Sequence, residues 1–198
     1  DCVGVLFLSL CNFGEFFEET YEGGRNLLRV LNEISVDFDR LFDEPQYASV
    51  EKIKSIGPTF MIASGLQNNT NTRDIQHLYD LVDFALELNE KLEAFNNEAM
   101  SVCHFKFQIR MGFHAGPVTA GVIGSDRLLY DIWGDTVNVA SRMDSTGASG
   151  IMQTTEEMTK ILGDKYKFKY RGPVHVKGKD SMVTYYLDPN ENTKVGKL

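Results

Sequence analysis

Apolar residues change their spacing repeatedly along the 198 residues of this chain, and the order of those changes most constrains its fold. Val3–Leu10 is a short apolar run, which suits a buried strand. Asn12, with Glu15 three residues on, reads as the N-cap of a helix. Leu27, Leu31, Ile34, Phe38 and Leu41 then recur at alternating intervals of four and three, one face of an amphipathic helix, with Pro45 just beyond its end. Ser49–Ile56 and Thr59–Leu66 read as two strands joined at Gly57-Pro58, and the polar stretch 67–73 as a loop. Leu78, Leu81, Val82, Ala85, Leu88, Leu92 and Phe95 mark a long helix.

Beyond it the period drops to two. Phe105, Phe107, Ile109 and Met111 alternate with Lys106, Gln108 and Arg110, a strand with one buried face. The glycine-rich stretch 112–124 reads as a turn between strands, with Pro117–Ile123 supplying the next strand. A helix is expected from about Thr136, capped by Asp135 and stopped by Gly147. Thr154–Leu162 reads as a shorter helix. Tyr166–Tyr170 and Met182–Leu187 read as late strands joined across Lys177-Gly178-Lys179. The order is a split α+β pattern of the ferredoxin-like kind, a βααββαβ core with extra C-terminal strands. No repeat or long linker divides it. One domain is expected over residues 1–187, with a flexible C-terminal tail over 188–198.

A chain of this length buries a core without disulfides or structural metal. The net charge of -8 argues against a general nucleic-acid binder, although a few placed cations suffice to hold a nucleotide. Cys2, Cys11 and Cys103 are widely spaced and form no CxxC, which fits free thiols in a reducing compartment. There is no apolar run of transmembrane length and no charged leader. The chain begins at Asp1, already close to a strand, so it is expected to be an excised domain, and its parent could be a membrane protein.

Three segments carry possible chemistry. In Tyr130–Met143, Asn138 and Arg142 lie four apart on a helix and share a face. An amide and a guanidinium there can hold a ribose and a phosphate gaining charge in a transition state. In Glu51–Gly57, strand alternation puts Lys52 and Lys54 on the same side. In Val176–Lys179, two lysines flank a glycine and could close over phosphates. Taken singly, a solvated helix face, a charged edge strand and a basic turn account for these segments at least as well. His77, His104, His114 and His175 show no metal-ligand spacing, and neither a GxSxG elbow nor a phosphate-binding loop motif is present.

Taken together the segments resemble the class III nucleotide cyclases. Val3–Phe7, Arg29–Glu33, Glu51–Gly57, Gly116–Gly124, Tyr130–Asp144 and Arg171–Lys179 look like the second cytosolic catalytic domain, C2, of membrane-bound adenylyl cyclases. Tyr21–Gly24 and Leu128–Asp135 are most similar to the type 9 branch. The resemblance implies a C2 half that pairs head to tail with a C1 domain to convert ATP to cyclic AMP and pyrophosphate. It implies that Lys54, Asp131 and Ile132 read adenine, that Asn138 and Arg142 are catalytic, and that Lys177 holds phosphate. Mg²⁺ or Mn²⁺, as two ions, is expected on the partner, because Ser9 and Pro58 stand where the C1 domain has its metal-binding aspartates. A homodimer is therefore expected to be weak and essentially inactive.

The resemblance also implies a contact with the stimulatory G-protein α subunit near Phe13–Gly24 and Phe95–Glu98. Activation by the diterpene forskolin is expected to be weak or absent, since the family's serine hydroxyl is lost at Pro58. The location implied is a cytosolic domain of a plasma-membrane protein. Lys54 and Asp131 oppose a guanylyl cyclase, because guanine reverses adenine's donor and acceptor pattern. Intact Asn138, Arg142 and Lys177 oppose a non-catalytic pseudo-cyclase that only dimerises and transmits a signal.

Overall fold

In the computed structural model, the described residues are 2–19, 25–67, 75–98, 105–126, 128–175 and 181–192. In chain order they form β1 (Val3–Leu10), α1 (Phe13–Glu19), α2 (Arg25–Phe42), β2 (Val50–Ile56), β3 (Thr59–Ser64) and α3 (Gln76–Glu98). There follow β4 (Ile109–Gly116), β5 (Thr119–Ile123), β6 (Leu129–Trp133), α4 (Asp135–Ser145), β7 (Met152–Thr155), α5 (Glu156–Leu162), β8 (Lys169–His175) and β9 (Ser181–Leu187). The first seven elements are the expected βααββαβ core.

Seven strands make one sheet in the order β2-β3-β1-β4-β7-β9-β8, and β5 and β6 form a separate two-stranded ribbon. All neighbours in the large sheet are antiparallel except β4 and β7. β1 is buried at every position because both of its faces are covered. Leu6, Leu8 and Leu10 point into the main core with Ile34, Phe38 and Leu41 of α2, Leu78, Leu81 and Leu88 of α3, and Met158 and Leu162 of α5. Val3, Val5 and Phe7 point the other way, into a small cluster with Met61, Ala63, Ile132 and Ala140. The ribbon and α4 sit on that second face.

Several local expectations shift. Asn12 does not cap α1 with its side chain, which instead donates to the Lys106 carbonyl and accepts from the Gln108 N–H. β4 starts at Ile109 rather than Phe105. The amide and carbonyl of buried Phe107 are both taken by the side chain of buried Asn96, at 2.8 Å each, which replaces a strand partner. Gly112 and Gly116 lie inside β4, not in a turn. A Cβ on Gly112 would come within 1.9 Å of the Asp144 backbone nitrogen, so its bare face is what lets α4 lie on the sheet.

Gly134 occupies the N-cap of α4, and Asp135 is its first residue, where a carboxylate suits the positive end of the helix dipole. Thr154 and Thr155 belong to β7, so α5 begins only at Glu156. β6 and β7 are strands that the spacing of apolar residues did not reveal. Residues 189–191 form a short helical turn over buried Pro189, and Asn192 bonds the backbone of Lys167. Of the expected tail, 193–198 lie outside the described residues, as do Cys103 and the connection containing Lys177.

Candidate active site

The second face of the sheet collects most of the residues singled out in the sequence. Its geometry starts with a register fault in β2. Lys52 pairs with Ile62 and Lys54 with Met61, so Ile53 is an extra residue in the ladder. A bulge of this kind breaks strict alternation. Lys52 accordingly points to the helical face, where its Nζ lies 2.8 Å from Asp39 of α2 and 5.4 Å from the centre of the Phe60 ring. Lys54 points to the ribbon face. The expectation that the two lysines share a side is therefore corrected.

Lys54 Nζ donates to Asp131 Oδ2 of β6 at 2.6 Å. The other oxygen of Asp131 accepts from the Ile132 N–H at 2.9 Å, which fixes the carboxylate plane. The Asp131 side chain is 17% exposed and that of Lys54 is 39% exposed. The pair is thus a half-buried donor and acceptor side by side, open on one side. Such a pair can exchange its mutual bond for bonds to a planar ligand with a complementary edge. Ile132 itself is 1% exposed and packs into the small cluster. Its side chain cannot reach a ligand, so only its backbone is available to one.

Ile132 and Ala140 share that cluster, which sets α4 directly beside β6. Val139, Ala140 and Met143 turn inward, leaving Asn138 and Arg142 exposed on the outer face of α4. Neither of their side chains bonds another described side chain, so both are free to meet a ligand. Lys177 lies outside the described residues.

Neither Ser9 nor Pro58 carries a carboxylate that could hold a hard cation. Ser9 is buried, donates to Asp144 Oδ2 at 2.8 Å, and lies 2.9 Å from Thr59 Oγ1. Pro58 offers only a carbonyl, which already accepts from the Leu10 N–H at 3.0 Å. Among the described residues no group of three or more potential ligand side chains gathers.

Asp144 was not foreseen. Burial raises its carboxyl above the usual range, although the Ser9 hydroxyl and Arg110, whose Nε is 3.2 Å away, pull the other way. The three residues tie α4 to β1 and β4. An acid two residues after Arg142 was the visible signal, but its partners are distant in the chain.

The ribbon and the residue leading into β6 expose Val122, Ile123, Leu128, Leu129, Tyr130 and Trp133, each between 38% and 69% accessible. A group of that size on a short ribbon is a feature of surfaces that meet another protein. A separate cleft of about 250 Å³, between α2 and α3, is lined by Asp37, Arg40, Lys91, Ala94, Phe95 and Glu98.

Comparisons with known proteins place the chain in a family. Residues 1–189 match the family model for the adenylate and guanylate cyclase catalytic domain. The chain is 52% identical over 190 residues to adenylate cyclase type 9 from Gallus gallus, and 50% identical over 191 residues to adenylate cyclase type 9 from Xenopus laevis. These matches cover 93% and 94% of this chain but only 14% of either relative. Among solved structures, it resembles the guanylate cyclase domain of RhGC from Catenaria anguillulae in complex with GTP, with a TM-score of 0.80 and 28% identity. That likeness covers 94% of this chain and 96% of the other. With the predicted core order, the sheet topology and a family match along nearly its whole length in agreement, this chain belongs to the adenylate and guanylate cyclase catalytic-domain family.

Proposed function

We propose that this domain is the C2 half of an adenylyl cyclase, which grips ATP while a C1 domain brings the metal ions. The observation that carries this reading is the 2.6 Å pair of Lys54 and Asp131. Adenine presents an unprotonated N1 beside an N6 amine, so Lys54 donates to the first and Asp131 accepts from the second. Guanine presents N1–H and O6 and would leave both half-buried groups mismatched, which is costly. The Ile132 backbone borders the base.

Asn138 orients the ribose, and Arg142 meets the charge that builds on the α-phosphoryl group as the bond from the 3′-oxygen forms and the bond to pyrophosphate breaks. Lys177 holds the polyphosphate. Magnesium or manganese belongs to the partner, because Ser9 and Pro58 provide no carboxylate. The exposed apolar ribbon is the surface that supports pairing, and the α2–α3 cleft with Phe95 supports a regulatory contact with a G-protein α subunit. The parent is a plasma-membrane protein with this domain in the cytosol. Pro58 makes forskolin a poor activator.

The test is reconstitution. Alone, the domain makes essentially no cyclic AMP, and mixed with a metal-binding C1 domain it does. Activity of the isolated domain equal to the mixture would overturn the division of labour. Changing Lys54→Glu with Asp131→Cys in the pair shifts preference from ATP towards GTP, and unchanged preference would refute the base assignment.

A further inference from the structure

We propose that Arg171, on β8, is a positioning residue that sets Arg142 by holding the last turn of α4, an inference that rests on the role given to Arg142 above. The Arg142 carbonyl accepts two bonds from Thr146, from its N–H at 3.0 Å and its hydroxyl at 2.6 Å. Thr146 therefore fixes the backbone from which the Arg142 side chain springs. Thr146 is in turn gripped from the sheet. Gln153 Nε2 of β7 donates to its hydroxyl oxygen at 2.9 Å, and Arg171 Nη2 donates to its main-chain carbonyl at 2.8 Å. Carbonyls at a helix C-terminus lack partners within the helix and carry the negative end of its dipole, so a guanidinium is a favoured donor there.

Arg171 reaches that carbonyl because β8 is irregular where it sits. The pairing with β9 jumps between Tyr170 and Gly172, and Gly172 has φ of 127°, a conformation that favours glycine. The irregularity turns Arg171 out of the ladder and towards α4. Its guanidinium also lies 5.5 Å from the centre of the Tyr186 ring, which steadies it. Asp144 holds the same turn from β1 and β4 through Ser9 and Arg110, so the helix remains docked without Arg171. What changes is the aim of Arg142, whose side chain depends on its backbone for placement.

The experiment is a cycle of Arg171→Ala and Arg142→Ala, singly and together, in the domain paired with a metal-binding C1 domain, with kcat, KM for ATP and Tm recorded. Arg171→Ala is expected to lower kcat about tenfold and leave KM within about twofold, since misplacing a catalytic group is felt in the transition state. Tm stays near the parent value, Arg171→Lys recovers most of the loss, and the double variant is no slower than Arg142→Ala alone. A double variant slower by the full Arg171→Ala factor would show that Arg171 acts independently and overturn the proposal, as would an unchanged kcat. If Arg171→Ala does not fold, Arg171→Gln is judged by the same additivity. Full activity in Arg142→Ala alone would instead sink the role of Arg142, so the two failures are distinguishable.

Discussion

The two faces of the large sheet are built to different standards. On the helical face, α2, α3 and α5 close a continuous core in which Leu8, Leu41, Leu78, Leu81 and Phe84 are fully buried. On the other face a few small residues, Val5, Ala63 and Ala140 among them, seat one helix and a ribbon, and charged or apolar groups remain open at the margin. The helical face holds the fold. The other face spends its residues on holding Lys54, Asp131, Asn138 and Arg142 in relation to one another. Substitutions on the two faces should therefore separate stability from activity.

The widest separation is expected at Arg142. In the paired enzyme, Arg142→Ala should reduce kcat roughly a hundred- to a thousandfold, as losing a donor to transition-state charge does elsewhere, with Tm unchanged. A drop below about tenfold would erase the functional contrast between the faces. Leu81→Ala, under α3, is the mirror image: it should cost about 2–5 kcal/mol in denaturant unfolding while each folded molecule keeps its kcat. Gly112→Ala sits between the two. With its Cβ 1.9 Å from the Asp144 nitrogen, α4 must shift, costing about 1–3 kcal/mol and activity together. Stability and activity both at parent levels would mean that α4 is not seated as described.

Leu129→Glu on the ribbon should weaken pairing with a C1 domain about tenfold, by sedimentation or titration, and change the stability of the lone domain by less than about 0.5 kcal/mol. Unchanged pairing would assign the apolar ribbon to another partner. The smallest effect is expected at Asp144. Because burial raises its folded pKa, the folded chain holds this proton more tightly than the unfolded chain does. Its contribution to stability is full below the ordinary carboxylate pKa and is lost as pH rises through the raised folded value. Asp144→Asn should remove that component from the stability–pH curve, and an identical curve would count against it.

The helical face was readable because its periods are long: Leu27 to Leu41 and Leu78 to Phe95 repeat cleanly in the sequence, and burial follows the same period at Ile34, Phe38, Leu41, Leu78, Leu81, Leu88 and Leu92. The ribbon face was not. In Leu129–Trp133 apolar residues stand on both sides of the strand, because one side meets the small cluster and the other stays exposed, so no alternation survives. The strand β4 loses its period of two after Arg110 since Met111–Ala115 is buried throughout. Asn138 and Arg142 were visible from spacing as a shared face, whereas the pairing of Lys54 with Asp131 came from the family resemblance. Ser9, Arg110 and Asp144, and equally Thr146 and Arg171, are joined across gaps of 25 residues or more, and only the folded chain joins them.

The extra residue at Ile53 lets two lysines two positions apart serve opposite faces of one strand, one tying down α2 and the other meeting Asp131. Losing Ile53 itself would leave Lys52 opposite Ile62 and Lys54 opposite Met61, each still on its own face, whereas losing Val50 or Glu51 would draw Ile53 into the ladder and take Lys52 away from Asp39. Among descendants of this chain the hairpin should tolerate a gap at Ile53 more readily than one at Lys54, because only the second removes the ammonium group that faces Asp131.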